Sequence, residues 1–268
     1  MAQRQKLGGF KVSRGEESKV RDQTGKDVTK AYDKAHRKLE RLLEELAEEH
    51  EGLKLDEDFD VASSLARRGW KAETNVQKLA EWNLLDFYFA GPTEQQSVVH
   101  NLLEFLPDAF GDDEYFVHDQ RGYAQILEPL LARIEAGKCR MLLNKRVTKV
   151  TYGETVRVDV VDQETGEPEA IEGSAVLMTV SVGVLNANLI EFKPPLPSWK
   201  TQALRECRMG LFCKVMLTFD TPFWNSKDDY IFIASDQKGY FSCFKCVSKL
   251  SKDQPHQLLG FVVDQEAA

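Results

Sequence analysis

The chain has 268 residues, 42% of them hydrophobic, and a formal net charge of −8 from 35 Lys and Arg against 43 Asp and Glu. That length builds one large domain or two small ones with a buried core, and the acidic balance argues against a basic nucleic-acid-binding surface as the main function. There is no apolar run long enough to span a bilayer and no apolar signal segment in MAQRQKLGGF, so the chain is read as cytoplasmic, with no membrane partner.

The first residues read as a polar tail. From Asp27 to about His50, Val28, Ala31, Ala35, Leu39, Leu42, Leu43 and Leu46 recur every three or four positions with charged residues between them. This predicts an amphipathic helix, with Asp27 as N-cap, packed on its own domain. Phe59–Trp70 and Thr74–Phe87 also read as helices, and the aromatic density of EWNLLDFYF reads as core. A further helix is expected from Tyr123 to Ala136, kinked at Pro129.

Strands dominate afterwards. LLN, VTKVTY, TVRVDVV and AVLMTV follow in close succession, with turn residues between Gln163 and Glu169, and predict a β-meander. Pro194, Pro195 and Pro197 interrupt the chain before a short helix from Ser198 to about Cys207. DYIFIAS, GYFSCFKCV and QLLGFVV then read as antiparallel strands.

Five cysteines, an odd count, fit reduced thiols better than a disulfide framework. Cys243 and Cys246 form a CxxC inside a β-rich stretch and read as strand residues. No set of residues has the spacing of metal ligands, so no metal is expected. His118 beside Asp119 reads as a turn histidine, and the pair Asp112 and Asp113 as a solvated loop.

One segment carries chemistry. In MGLFCKVMLTFDTPFW, from Met209 to Trp224, strand alternation puts Phe212, Lys214, Met216 and Thr218 on one face. Lys214 is the only cation there. It is either snorkelling to solvent or held for a task, because a buried unpaired ammonium costs several kcal/mol (~2–7 for a polar group alone).

This segment, extended back to Thr179, together with FGDDEYFVHDQRGY (Phe110–Tyr123) and MLLNKRVTKVTY (Met141–Tyr152), resembles the flavin-containing amine oxidases, especially the plant-type polyamine oxidases. The three blocks occur in the family's order. The resemblance implies an α+β, α/β architecture: a partial two-domain fold in which helices and a mixed sheet form the substrate domain and a β-meander belongs to the FAD domain. It places a tail at 1–12, the helical part of the substrate domain at 13–118, a partial FAD-binding domain at 119–211 and the β-sheet part of the substrate domain at 212–268.

The implied reaction is oxidation of a polyamine by hydride transfer to N5 of FAD, with O2 as the final acceptor. Lys214 takes the position of the lysine that holds a water beside N5. Phe212 takes an aromatic substrate-lining position where some relatives have tyrosine, and the backbone of Val147 takes a position at the adenine end of FAD. Gly91 stands where plant members carry a glutamate, with Glu94 close by in sequence.

The family's GxGxxG phosphate turn is absent from the seventeen glycines, as is its C-terminal flavin-binding stretch. The chain is therefore read as an internal fragment, with a companion segment completing the FAD site. The alternatives are a non-catalytic remnant or interaction module on the same fold, and a histone-demethylase-like relative.

Overall fold

The computed structural model describes residues 6–13, 18–50, 58–102, 113–117, 119–137, 139–225, 228–247 and 256–263. His118 and Asp112 lie outside these. The chain forms two compact units, Met1–Ile126 with Gly210–Ala268, and Leu127–Met209.

The first unit is built on a five-stranded sheet ordered β2-β9-β10-β11-β8, with β2 (Lys19–Asp22), β8 (Phe212–Phe219), β9 (Tyr230–Ala234), β10 (Cys243–Cys246) and β11 (His256–Val263). The predicted antiparallel strands are found in β9, β10 and β11, each antiparallel to its neighbour, whereas β2 joins β9 in parallel. A separate ribbon pairs β1 (Gly9–Ser13) with β3 (Asp113–Val117).

Helix α1 (Thr29–Glu49) buries Leu39, Leu43 and Leu46 completely, as its periodicity requires. Each such leucine contributes about 1.5–3 kcal/mol. They meet α2 (Val61–Arg67) and Trp70 in one cluster, while Tyr32 of α1 joins a second cluster against the sheet. Asp27 is not the N-cap. Val28 occupies that position without a side-chain bond, and Asp27 instead accepts from the Thr29 amide at 3.0 Å.

The third predicted helix is not continuous α-helix. α3 (Asn75–Glu81), started by a capping box between Thr74 and Gln77, passes into a π-helical turn at Trp82–Asp86 and then α4 (Phe87–Phe89). The chain leaves through Ala90 in the left-handed region, φ 52°. A short α5 (Val98–Asn101) follows, capped by Ser97.

In the second unit, β4 (Lys145–Tyr152) and β5 (Val156–Asp162) are two of the predicted strands, β6 (Pro168–Gly173), not among the predicted ones, completes the meander, and β7 (Glu191–Lys193) adds in parallel to β4. Asp162 makes the β5–β6 turn by accepting from the amides of Glu164 and Thr165, with Gly166 at φ 77°. Lys145 pairs with both Asp162 and Glu169 across the meander.

Three expectations fail in this unit. LLN, at 142–144, is not a strand and only leads into β4. AVLMTV is not a strand: no described strand lies alongside to take its backbone hydrogen bonds, and Leu177 is 86% exposed. Pro129 does not kink a helix. Tyr123–Leu127 is 3₁₀ and α6 begins at Glu128, so the proline lies in the first turn, where its missing N–H has no partner to lose. α7 (Val182–Asn186) and α8 (Ser198–Glu206) complete the unit.

Candidate functional site

β8 is the edge strand of the five-stranded sheet. Opposite it on β11, Lys214 pairs with Phe261 and Phe212 with Val263. Directly opposed residues share a face, so Phe212 and Lys214 continue the face of β11 that the helices cover. Phe87 packs its ring against Phe261 and Phe212, at centroid distances of 5.4 Å for both, and Trp82 lies behind Phe87 at 5.1 Å.

At β8 that face opens. Phe212 is 42% and Met216 50% exposed, and Lys214 is exposed between them with its Nζ 5.6 Å from the Phe212 ring centroid. Lys214 is thus the solvent-reaching cation of an apolar rim, and its role cannot rest on burial. No carboxylate among the described residues forms an ion pair with it. Its three donors are available to water or ligand.

The buried lysine of this sheet is Lys245 on β10, which sequence reading passed over. It is 5% exposed, and its ammonium lies 4.2 Å from the Tyr230 ring and 4.9 Å from that of Phe116. It also donates to the Tyr230 hydroxyl at 3.1 Å. Aromatic faces and a hydroxyl give this cation a structural place.

The start of β8 depends on a close approach. A Cβ on Gly210 would fall 2.7 Å from both the Cβ and the carbonyl oxygen of Ala90. Ala90 and Gly91 form the turn that follows α4. Gly91 is half-buried, and Glu94 is exposed on a 3₁₀ turn at Thr93–Gln95.

A polar cluster lies behind the aromatic cluster. Lys238 donates to Glu81 at 2.7 Å and pairs with Asp86 at 2.7 Å, and Asp86 also accepts from the Thr93 amide and hydroxyl at 3.0 and 2.5 Å. Two carboxylates share one ammonium here, and burial pushes the Asp86 carboxyl up to about 6 despite that ammonium.

The folded state then binds the Asp86 proton more tightly than the unfolded chain, whose carboxyl titrates near 3.8. The stability this proton confers is present below the unfolded value and is lost as pH rises through about 6. Urea midpoints should therefore show a decline between pH 4 and pH 6 that Asp86→Asn removes. An equal slope in parent and variant would contradict it.

Val147 lies on β4 opposite Val160, beside a bulge before Lys149. Its side chain packs on the cluster of Val150, Val156 and Ile190, so only its main chain can meet a ligand. Pairing with β7 begins at Lys149, which leaves the Lys145–Thr148 half of β4 without a ladder partner on that side among the described residues.

The five cysteines are free. Cys243 and Cys246 are buried on β10, and burial pushes the Cys243 thiol well above its ordinary value, so it is unreactive as a nucleophile. Among the described residues no cluster of metal-ligating side chains occurs and no helix is long and apolar enough to cross a membrane. The second unit holds a cavity of about 290 Å³ between α7 and α8, lined by Met178, Phe192, Trp199 and Leu204 with Lys200 at its wall.

A model of the family described as "Flavin containing amine oxidoreductase" matches residues 8–268. Similar curated proteins include Polyamine oxidase 7 of Oryza sativa subsp. japonica, 33% identical over 203 residues covering 72% of this chain and 41% of that protein. Polyamine oxidase 1 of Zea mays is 31% identical over 207 residues, covering 72% and 40%. Lysine-specific histone demethylase 1 homolog 3 of Arabidopsis thaliana is 35% identical over 114 residues, covering 41% and 7%. The chain thus spans about two fifths of the length of these two polyamine oxidases. Among solved structures, a putrescine oxidase redesigned in cofactor binding superposes with a TM-score of 0.72 over 99% of this chain and 61% of that one, at 20% identity.

Proposed function

Because the chain belongs to the flavin-containing amine oxidoreductase family, we propose that it carries the substrate-side strand and the meander of an FAD-dependent polyamine oxidase. In this reading residues 13–118 and 212–268 form the substrate domain and 119–211 part of the FAD domain. The observation that carries it is Lys214, a cation without a carboxylate partner among the described residues, beside an exposed aromatic ring on an apolar strand rim.

The residues present fit the flat end of the cofactor. An exposed apolar strip of Phe212 and Met216 with one ammonium suits an isoalloxazine edge, whereas the phosphate turn is supplied by a companion segment. When bound, FAD accepts a hydride from the amine's α-carbon and passes two electrons to O2, giving hydrogen peroxide.

The chain's own residues do the rest. Lys214 directs N–H donors at the oxygen of one water, fixing its orientation, and its charge favours negative charge developing beside it. Loss of the α-hydride leaves an iminium; that water adds to its carbon, one water proton passes to the nitrogen, and the C–N bond then breaks to release a carbonyl, an amine and one proton to solvent. Phe212, held by Phe87 and Phe261, presents a rigid apolar wall that excludes other water. The Val147 main chain meets the adenine end, and Glu94 is the acid nearest Gly91 in sequence for attracting a cationic chain.

The histone-demethylase-like reading shares the lysine strand but rests on matches that are either shorter or less identical than those to the polyamine oxidases. The chain alone is expected to leave a desalting column without flavin absorbance. Joined to a segment with a glycine-rich phosphate turn, it should bind FAD, lose its visible flavin band on anaerobic addition of spermine or spermidine, and release peroxide in air. Bound FAD that neither amine bleaches would refute the polyamine oxidase reading.

A further inference from the structure

The π-helical turn at Trp82–Asp86 is where α3 departs from regular geometry, and one ammonium spans it. Lys238 contacts Glu81 just before the turn and Asp86 at its end, both at 2.7 Å. In an α-helix, residues five apart point about 140° away from each other, so one Nζ could not meet both so closely. In a π turn the i→i+5 bond stacks them on one flank. The Phe87 amide donates to the Trp82 carbonyl, the i→i+5 bond expected there.

The same register carries a second i,i+5 pair. Trp82 and Phe87 touch at 5.1 Å, and Phe87 reaches on to Phe212 at 5.4 Å. The loop bearing Lys238 lies flush on the turn. Gly239, at φ 85°, comes so near that a Cβ would fall 2.8 Å from the Trp82 indole, and Lys78 donates to the Asp236 carbonyl at 2.8 Å. Lys238 therefore has a fixed position relative to both carboxylates.

We propose that Lys238 is a positioning residue: by clamping Glu81 and Asp86 it holds the π register that seats Phe87 against Phe212, and so sets the ring beside which the Lys214 ammonium stands. This deepens the amine oxidase reading, on which the relevance of Lys214 rests, but the clamp itself is independent of it. Lys238 is 23% exposed in its side chain and bonds also towards Thr93 Oγ1 at 3.4 Å. It touches no candidate substrate face, so its influence is exerted through the helix.

The test uses the chain without flavin. Glu81→Gln keeps an acceptor for the Trp70 indole N–H, which Glu81 takes at 2.8 Å, but turns an amide towards Lys238. Asp86→Asn removes the other anchor. In each variant, amide hydrogen exchange at residues 82–87 should quicken by at least ~10-fold, and the NMR signal of 13Cε-labelled Lys214, assigned with Lys214→Arg, should shift as the Phe212 ring moves. Unchanged exchange in a cooperatively melting variant overturns the clamp. Faster exchange with an unmoved Lys214 signal overturns its positioning role. Neither readout involves amine oxidation, so a failure here is distinct from a failure of the oxidase reading.

Discussion

Lys214→Met in the flavin-loaded protein is expected to slow amine oxidation by ~10²-fold or more, the range lost when one preorganised hydrogen-bond donor is removed, while leaving the melting temperature within a few degrees of the parent. The second half follows from position. Lys214 is exposed, on an edge strand, and makes no ion pair among the described residues, so removing its amine leaves no buried group uncompensated. Methionine keeps the stem's volume and its contact with the Phe212 ring.

The first half follows from what methionine lacks. It offers no donor to a water and no charge to the adjoining ring. Stopped-flow bleaching of the flavin by spermidine, compared with thermal unfolding, separates the two effects. A parent-like rate would remove Lys214 from the mechanism. A collapsed melting temperature would mean that the amine is structural after all.

The strand that carries this residue was legible because side-chain alternation has a period of two, and Phe212, Lys214 and Met216 do share an exposed face. Helix α1 was legible for the same kind of reason, from leucines spaced by helical turns. What surrounds Lys214 was not. The clamp joins Glu81 to a lysine 157 residues later, and nothing in EWNLLDFYF distinguishes a π turn from an α turn, since the extra residue per turn is selected by tertiary contacts.

The mistaken strand at AVLMTV has the opposite origin. Its local pattern is that of a buried strand, but a strand exists only with a neighbour, and sequence periodicity does not report neighbours. Lys245 was missed likewise: an alternating FKC reads as half-exposed, while Phe116 and Tyr230 close over it from elsewhere in the chain. A kink at Pro129 requires an α-helix that already runs from Tyr123, whereas the 3₁₀ turn at Tyr123–Leu127 moves the α-helix start to Glu128 and the proline into its first turn.

Gly210→Ala is expected to destabilise the first unit by about 1–3 kcal/mol, the usual cost of forcing atoms into a filled space, and to disturb Lys214 as well. The added methyl would lie 2.7 Å from the Cβ and carbonyl oxygen of Ala90, and neither belongs to a flexible side-chain end that could swing aside. Ala90 is itself held: it sits at φ 52°, four residues after Asp86, and the Gly91 amide donates to the Asp86 carbonyl at 3.2 Å. Asp86 is in turn tied to Lys238 and Thr93. The yielding partner is therefore the first residues of β8, whose outer edge has no strand neighbour among the described residues, and Phe212 and Lys214 should move with them. A lowered urea midpoint together with a shifted Lys214 Cε signal is the expected pair of results. Loss of stability with an unmoved Lys214 would place the relaxation in the Ala90 turn and break the link drawn between Gly210 and Lys214.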